Sequence, residues 1–357
     1  MEHPASDLQC IDYTLKNVHK RQSNAVENDM MSQQVVQYLQ QHLQSNQDTF
    51  LKEAQLEIVG SRAEGLMTTR TDDHDILLIL GAPYTPEYFK SSYEADGRHY
   101  LIWNGKNWNG GRPRYVDGKG YLCPVPLRNQ VNSCMQTALD EVIIGDPFKV
   151  TRVCMWKQTV RALLKDRSKK DRYRYVVDVI PQIKGGKWSM VEGVESFNKL
   201  SRELQSAVVG LESAHNSAIY FSLFASPGSS PLLLTSSYTM LEREFFLNNE
   251  NLRDIVLLGK LMVGGHHWKD KYGFKSAHLK RIVMANTNAL SSLPPWSGMH
   301  EMWDTIVRQL KEGFLDGFPD KNADLMWHKT EEECEVLVDN ILDVLATLSP
   351  AFFPNYL

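Results

Sequence analysis

The sequence predicts an α/β (α+β) chain in two lobes: a long N-terminal helix, a mixed-sheet core, and a C-terminal lobe made of helices. Three observations carry this. From Ala5 to Val59 there is no glycine or proline, so nothing in that stretch breaks a helix. Residues 81–130 are rich in Gly, Pro, Tyr and Trp around short β-type runs, the composition of strands joined by turns. Beyond "PGSSP" at 227–231 the apolar spacing is helical almost to the end.

Taken in order, Ile11, Leu15 and Val18, then Met31, Val35, Leu39 and Leu43, recur every three or four residues. This spacing predicts one helix, or two broken near Ser23–Asn24, delivering the chain to Gly60. "ILLIL" at 76–80 reads as a buried strand, and "HYLIW" and "RYVDGKGYLCPV" as strand-like pieces. "CMQTALDEVI" and "RVCMWKQTVRALLKD" read as helices, and "YRYVVDVIPQI" and "SAIYFSLFA" as strands. Helices follow at 239–247, 250–263, 275–290, 300–313 and 331–348. The expected division is a spine helix over 1–56, a core over 57–230 and a helical lobe over 231–357.

Bulk properties narrow the function classes. Hydrophobic residues make up 42% of the 357 and charged ones 23%, with a net charge of −4. Such a chain has no global attraction to nucleic acid, so any contact has to be a local patch. No apolar run reaches the roughly 20 residues of a membrane helix, and the N-terminus lacks signal-peptide layout. Five scattered cysteines without zinc spacing read as reduced thiols. The expectation is a cytoplasmic protein, not membrane-bound and without zinc.

Chemistry concentrates at "GSRAEGLMTTRTDDHDILLIL", residues 60–80. Alternate strand residues share a face, so Asp73 and Asp75 lie together while Asp72 sides with His74. Paired carboxylates repel unless a cation or proton lies between them, and hard oxygen donors suit Mg²⁺, with Mn²⁺ as the alternative ion. Asp178, isolated among valines in "YRYVVDVIPQI", is costly there unless something pairs with it. It is the expected third acid, from a neighbouring strand. Were Asp178 to face away from the other two acids, or to be locked in a salt bridge across the sheet, the enzymatic reading would collapse. Gly60 and Ser61 form a turn whose amides and hydroxyl suit a triphosphate. A tight turn followed by an acidic strand cap is the plainer alternative.

"VGSRAEGL", "DHDILLIL" and "VVDVIPQI", in that order, resemble the nucleotidyltransferase signature of cyclic GMP-AMP synthase-like receptors and their male-abnormal-21 domain relatives. "GYLCPV", "SSYTMLEREFF", "FKSAHLKRIVM" and "GFPDKNADLM" resemble further segments of that family. The resemblance implies a bilobed nucleotidyltransferase fold in which Asp73, Asp75 and Asp178 hold two Mg²⁺ ions. It also implies that Gly60, Ser61, Lys260 and Ser276 contact nucleoside triphosphates, and that the product is a cyclic dinucleotide serving innate immune signalling. There are departures: Ala277 stands where the family's base-stacking tyrosine lies, and Thr235 where an arginine reads a base edge. Base identity does not carry over, and Tyr238 is an alternative stacking group. His266 and His267 have no cysteines nearby, so the zinc module of the vertebrate DNA sensor is absent.

Charge is segregated along the chain. Residues 151–175 carry nine Lys or Arg against two Asp, whereas residues 299–357 carry twelve acids against four bases. The basic stretch, 152–174, read as a helix and loop, is a candidate contact for double-stranded RNA or DNA through phosphates. The resemblance, without a zinc thumb, favours RNA. Two other readings stay open: a non-catalytic male-abnormal-21 domain protein acting as a scaffold or developmental regulator, and an enzyme that extends RNA ends.

Overall fold

The computed structural model describes residues 4–23, 26–68, 73–95, 97–141, 148–156, 159–166, 174–223, 230–320, 323–326, 328–351 and 353. Helices α1 (Pro4–Ser23) and α2 (Val26–Gln44) open the chain, followed by the short turn α3 (Thr49–Lys52). Strand β1 (Gln55–Val59) runs into the single turn α4 (Gly60–Ala63), and β2 (Asp73–Ile79) follows. Next come β3 (Phe89–Ala95), β4 (Arg98–Trp103), α5 (Pro124–Asp140), β5 (Phe148–Trp156), β6 (Thr159–Asp166) and the long β7 (Arg174–Gly186). Helix α6 (Arg202–His215) leads to β8 (Ile219–Ser222) and β9 (Leu234–Ser237). The remainder is helical: α7 (Thr239–Asn248), α8 (Glu250–Gly265), α9 (Trp268–Tyr272), α10 (Ser276–Ala285), α11 (Thr287–Leu290), α12 (Pro295–Lys311) and α13 (Glu331–Thr347).

The strands form one mixed sheet in the order β1-β2-β7-β8-β9-β4-β3, with β6 added beside β7 and β5 beside β6. Only β2 and β7 run parallel; the other described pairs are antiparallel. Strand β7 is long enough to pair β6 along its first half and β8 along its second. Ile76, Leu77, Leu78 and Ile79 of β2 are all buried, and each such side chain contributes about 1.5–3 kcal/mol by leaving water. All seven apolar positions read from the N-terminal spacing are buried in α1 and α2. The protein is therefore a mixed α/β fold, and no described helix is long and apolar enough to cross a membrane.

Element starts follow local chemistry. Pro124 opens α5, where its missing N–H is not needed. Thr330 and Glu333 close a reciprocal capping box at the start of α13.

Four sequence expectations differ from the structure. "RVCMWKQTVRALLKD" is not a helix but the antiparallel hairpin β5–β6. Val160, Ala162 and Leu164 alternate into the core, and this period of two prevails over the helical spacing that Val153, Val160 and Leu164 also satisfy. The basic stretch is thus hairpin rather than helix, and its residues 157–158 and 167–173 lie outside the described residues. Of "RYVDGKGYLCPV", only isolated bridges form, at Val116, Tyr121 and Leu122, before α5 begins. Strand β9 lies beyond the expected boundary at 230 yet belongs to the sheet, between β8 and β4. Most of "PGSSP" lies outside the described residues.

Candidate active site

The parallel pairing of β2 with β7 sets the geometry. Asp75 is in register with Asp178, and Asp73 with Val176. Cross-strand partners share a sheet face, so Asp73, Asp75 and Asp178 stand together on one side, as the alternation in "DHD" and the lone acid in β7 lead one to expect. His74 points to the other side, buried beneath α2, where its Nδ1 meets the Ser32 hydroxyl. Burial holds its pKa down at about 3, with the Arg62 charge adding to the shift, so the ring is neutral.

Asp75 carries the electrostatic stress of the cluster. Its pKa is pushed up to about 6, first by burial and then by the charges of Asp178 and Asp73. The turn before it is built to the same carboxylate. Gly60 has φ +83°, and a Cβ there would lie 2.4 Å from Asp75 Oδ2. Gly60→Ala is accordingly expected to lose at least about 1–2 kcal/mol from the left-handed backbone alone and to displace the Asp75 carboxylate. Denaturant unfolding measures the first effect; unchanged stability would contradict the close approach.

Asp178 is not free. Arg161, its cross-strand partner on β6, holds both carboxylate oxygens, Nε to Oδ1 at 2.7 Å and Nη2 to Oδ2 at 2.6 Å. This is the salt bridge across the sheet that the sequence reading sets against enzymatic function, and it engages both oxygens of Asp178. The donor type and the shared face of the three acids suit a hard divalent cation, and the stress on Asp75 is one that a cation or a proton relieves. The orientation of Asp178, turned to Arg161, does not fit. Among the described residues no group of three or more His, Cys, Asp or Glu side chains is arranged to hold a metal ion.

Two of the expected phosphate-binding residues, Ser61 and Lys260, meet. Lys260, on α8, donates to the Ser61 hydroxyl at 2.8 Å and to the Leu66 carbonyl. Burial lowers its pKa to about 7, with the neighbouring Lys280 charge adding to the effect and Glu64 opposing it. An anion placed beside it would restore its proton. Ser276 begins α10 and shares a helix face with Lys280 one turn on. Ala277 is exposed beside it, and Thr235 lies within β9.

Tyr238 does not serve as a stacking group. It is buried, its hydroxyl donates to Asp320, and the Arg281 guanidinium covers its ring at 4.6 Å. His266 stacks on the buried Trp268 with ring centroids 5.3 Å apart.

Two features were not assigned roles from sequence. The first is Arg161, concealed by the helical reading of its segment. The second is a buried ion cluster joining the turn after α4 to α7 and α10. Lys280 donates to both oxygens of Glu64 at 3.0 Å and also bonds Glu242, while Arg281 pairs with Glu242 at 3.0 Å. Glu64, Glu242 and Lys280 all lie in the motif segments quoted above. Lys280 also sits within an apolar helical stripe, and a charge there was the available signal. Burial raises the Glu64 pKa; burial opposes ionisation of Glu242 too, but Lys280 and Arg281 outweigh it and hold its pKa low.

Compared with known proteins, the chain matches no family model and no curated protein.

Proposed function

We propose that this protein is a bilobed, metal-dependent nucleotidyltransferase of the cyclic GMP-AMP synthase-like type. It joins ATP- or GTP-type substrates into a cyclic dinucleotide messenger, in a cytoplasmic setting, on sensing double-stranded nucleic acid, RNA being favoured. One observation carries this reading: Asp75 and Asp178 are in register on adjacent parallel strands, with Asp73 on the same face. Holding the half-buried Asp75 beside Asp178 and the exposed Asp73 raises its pKa, a stress that a substrate complex bringing positive charge would relieve.

Asp73 and Asp75 would hold Mg²⁺ or Mn²⁺, joined by Asp178 only when it is released from Arg161. Such ions would activate the attacking ribose hydroxyl and neutralise the leaving pyrophosphate. The chain's own groups do the rest. Ser61 and Lys260 grip the triphosphate, which keeps Lys260 protonated, and Gly60 leaves room for Asp75 against the turn. Ser276 enters from α10. The exposed Arg152 on β5 and the rest of the basic stretch 152–174 contact the phosphates of the activating duplex. The free thiols of all five cysteines accord with a reducing compartment.

A second reading, a non-catalytic male-abnormal-21 domain scaffold, is favoured by the Arg161–Asp178 bridge, which gives Asp178 a purely structural partner. Incubation with all four NTPs and Mg²⁺ or Mn²⁺, with and without double-stranded RNA or DNA, separates the two. The expected result is a cyclic dinucleotide identified by mass and lost in Asp73→Asn and Asp178→Asn. Undiminished product from those variants overturns the site assignment. A linear extended RNA would identify end extension instead.

A further inference from the structure

Five strands place one row of residues across the sheet: Val59, Asp75, Asp178, Arg161 and Cys154 are successive cross-strand partners on β1, β2, β7, β6 and β5. Asp178 therefore stands between Asp75 and Arg161. Asp75 has no ion-pair partner among the described residues, whereas Asp178 is held through both oxygens. Arg161 is braced from its outer side. Its guanidinium lies 4.6 Å from the ring centroid of Trp156, at the end of β5. Trp156 is 49% exposed, a large aromatic surface that the core does not require. Its position over Arg161 gives it a use: it restrains a cation over the acid cluster.

We infer that Arg161 is an autoinhibitory latch, whose guanidinium occupies the cation position on Asp178 and must leave before a divalent ion can be shared by the three acids. The inference rests on the proposed metal-dependent function. A guanidinium and a divalent ion repel each other and compete for the same two oxygens, so each weakens the binding of the other at this position. The latch lies on the hairpin that forms the sheet's margin, the described part of the basic stretch. Its release is thus a motion of one side chain off the acid row and needs no rearrangement of the sheet. A ligand that displaces Arg161 or moves Trp156 turns the site on; without one, the three acids hold a divalent ion weakly.

The test is Mn²⁺ binding to the full chain, followed by loss of the free-ion signal in electron paramagnetic resonance, so that it does not depend on turnover. Arg161→Met keeps the unbranched apolar stem and removes the charge. It is expected to bind Mn²⁺ at least about tenfold more tightly than wild type, since one eliminated opposing charge at this range is worth that much. The gain is expected to vanish in Arg161→Met with Asp178→Asn. Trp156→Ala, at a half-exposed position, removes the brace and is expected to tighten binding about two- to fivefold. It also decides the matter if Arg161→Met does not fold. Wild-type binding that neither variant improves overturns the latch and leaves the nucleotidyltransferase reading standing. Absence of Mn²⁺ binding in wild type and both variants, with nucleotide present, overturns that reading and the latch with it.

Discussion

Lys280→Met is expected to lose about 3–5 kcal/mol of folding stability, the range for removing one partner from a buried charge pair. Glu64 is fully buried and Glu242 nearly so, their side chains 0% and 6% exposed. Lys280 is bonded to both. Without it, Arg281 still serves Glu242, but Glu64 is left with no bonded cation in a dry site. Lys260 acts on it only at longer range. The pH dependence has a definite sign. Burial already raises the folded pKa of Glu64 above its ordinary 4.5, and loss of Lys280 raises it further. A carboxyl with a raised folded pKa favours the fold below its unfolded pKa and disfavours it as pH rises. The variant's deficit is therefore smallest in acid and grows toward neutrality. Urea unfolding at a series of pH values measures this. Adding Glu64→Gln to Lys280→Met is expected to recover much of the loss at neutral pH, because no charge then remains unpaired there. A deficit below about 1 kcal/mol, or one independent of pH, would show that water reaches the cluster.

That cluster also marks how far the sequence could be read. Helical spacing located α1, α2 and the principal helices of the C-terminal lobe, because each buries a continuous apolar stripe whose period survives in the sequence. Alternation in "DHD" placed Asp73 and Asp75 on one face, since the strand geometry leaves no other choice. The register of Asp75 with Asp178 was not legible. It depends on the pairing of two strands about a hundred residues apart, and no local pattern encodes that. The hairpin β5–β6 was misread for a physical reason. Val153, Trp156, Val160 and Leu164 fit a helical period, and only the sheet that receives Val160, Ala162 and Leu164 resolves the ambiguity in favour of strand. Arg161 was lost with it. In a helix its side chain has no fixed relation to Asp178; in β6 it is the direct neighbour. Tyr238 reads as an alternative stacking group because a tyrosine at a helix start carries no mark of burial. Its partners, Asp320 and Arg281, come from distant segments.

Asp75→Asn is expected to raise stability at alkaline pH while removing the proposed activity. The folded pKa of Asp75 is about 6 against an ordinary 3.8, so its ionisation opposes folding. The fold is unpenalised below about pH 4, loses stability as pH rises through about 6, and is at its full deficit above that. A shift of roughly two pH units corresponds to about 3 kcal/mol. Asparagine has the same shape and no charge, so the variant should match wild type near pH 4 and exceed it by up to about 3 kcal/mol at pH 8. Cyclic dinucleotide formation should fall by at least about 100-fold, since altering even the outer neighbours of a metal site costs 10- to 100-fold. Mg²⁺ should raise the melting temperature of wild type at pH 8 and leave that of the variant unchanged. An Asp75→Asn protein less stable than wild type at pH 8 would mean that the charge is satisfied within the protein, and the case for a cation at this site would fail. The opposite pairing, a gain in stability with a loss of function, is what a chain displays when it keeps a charge that its fold alone disfavours.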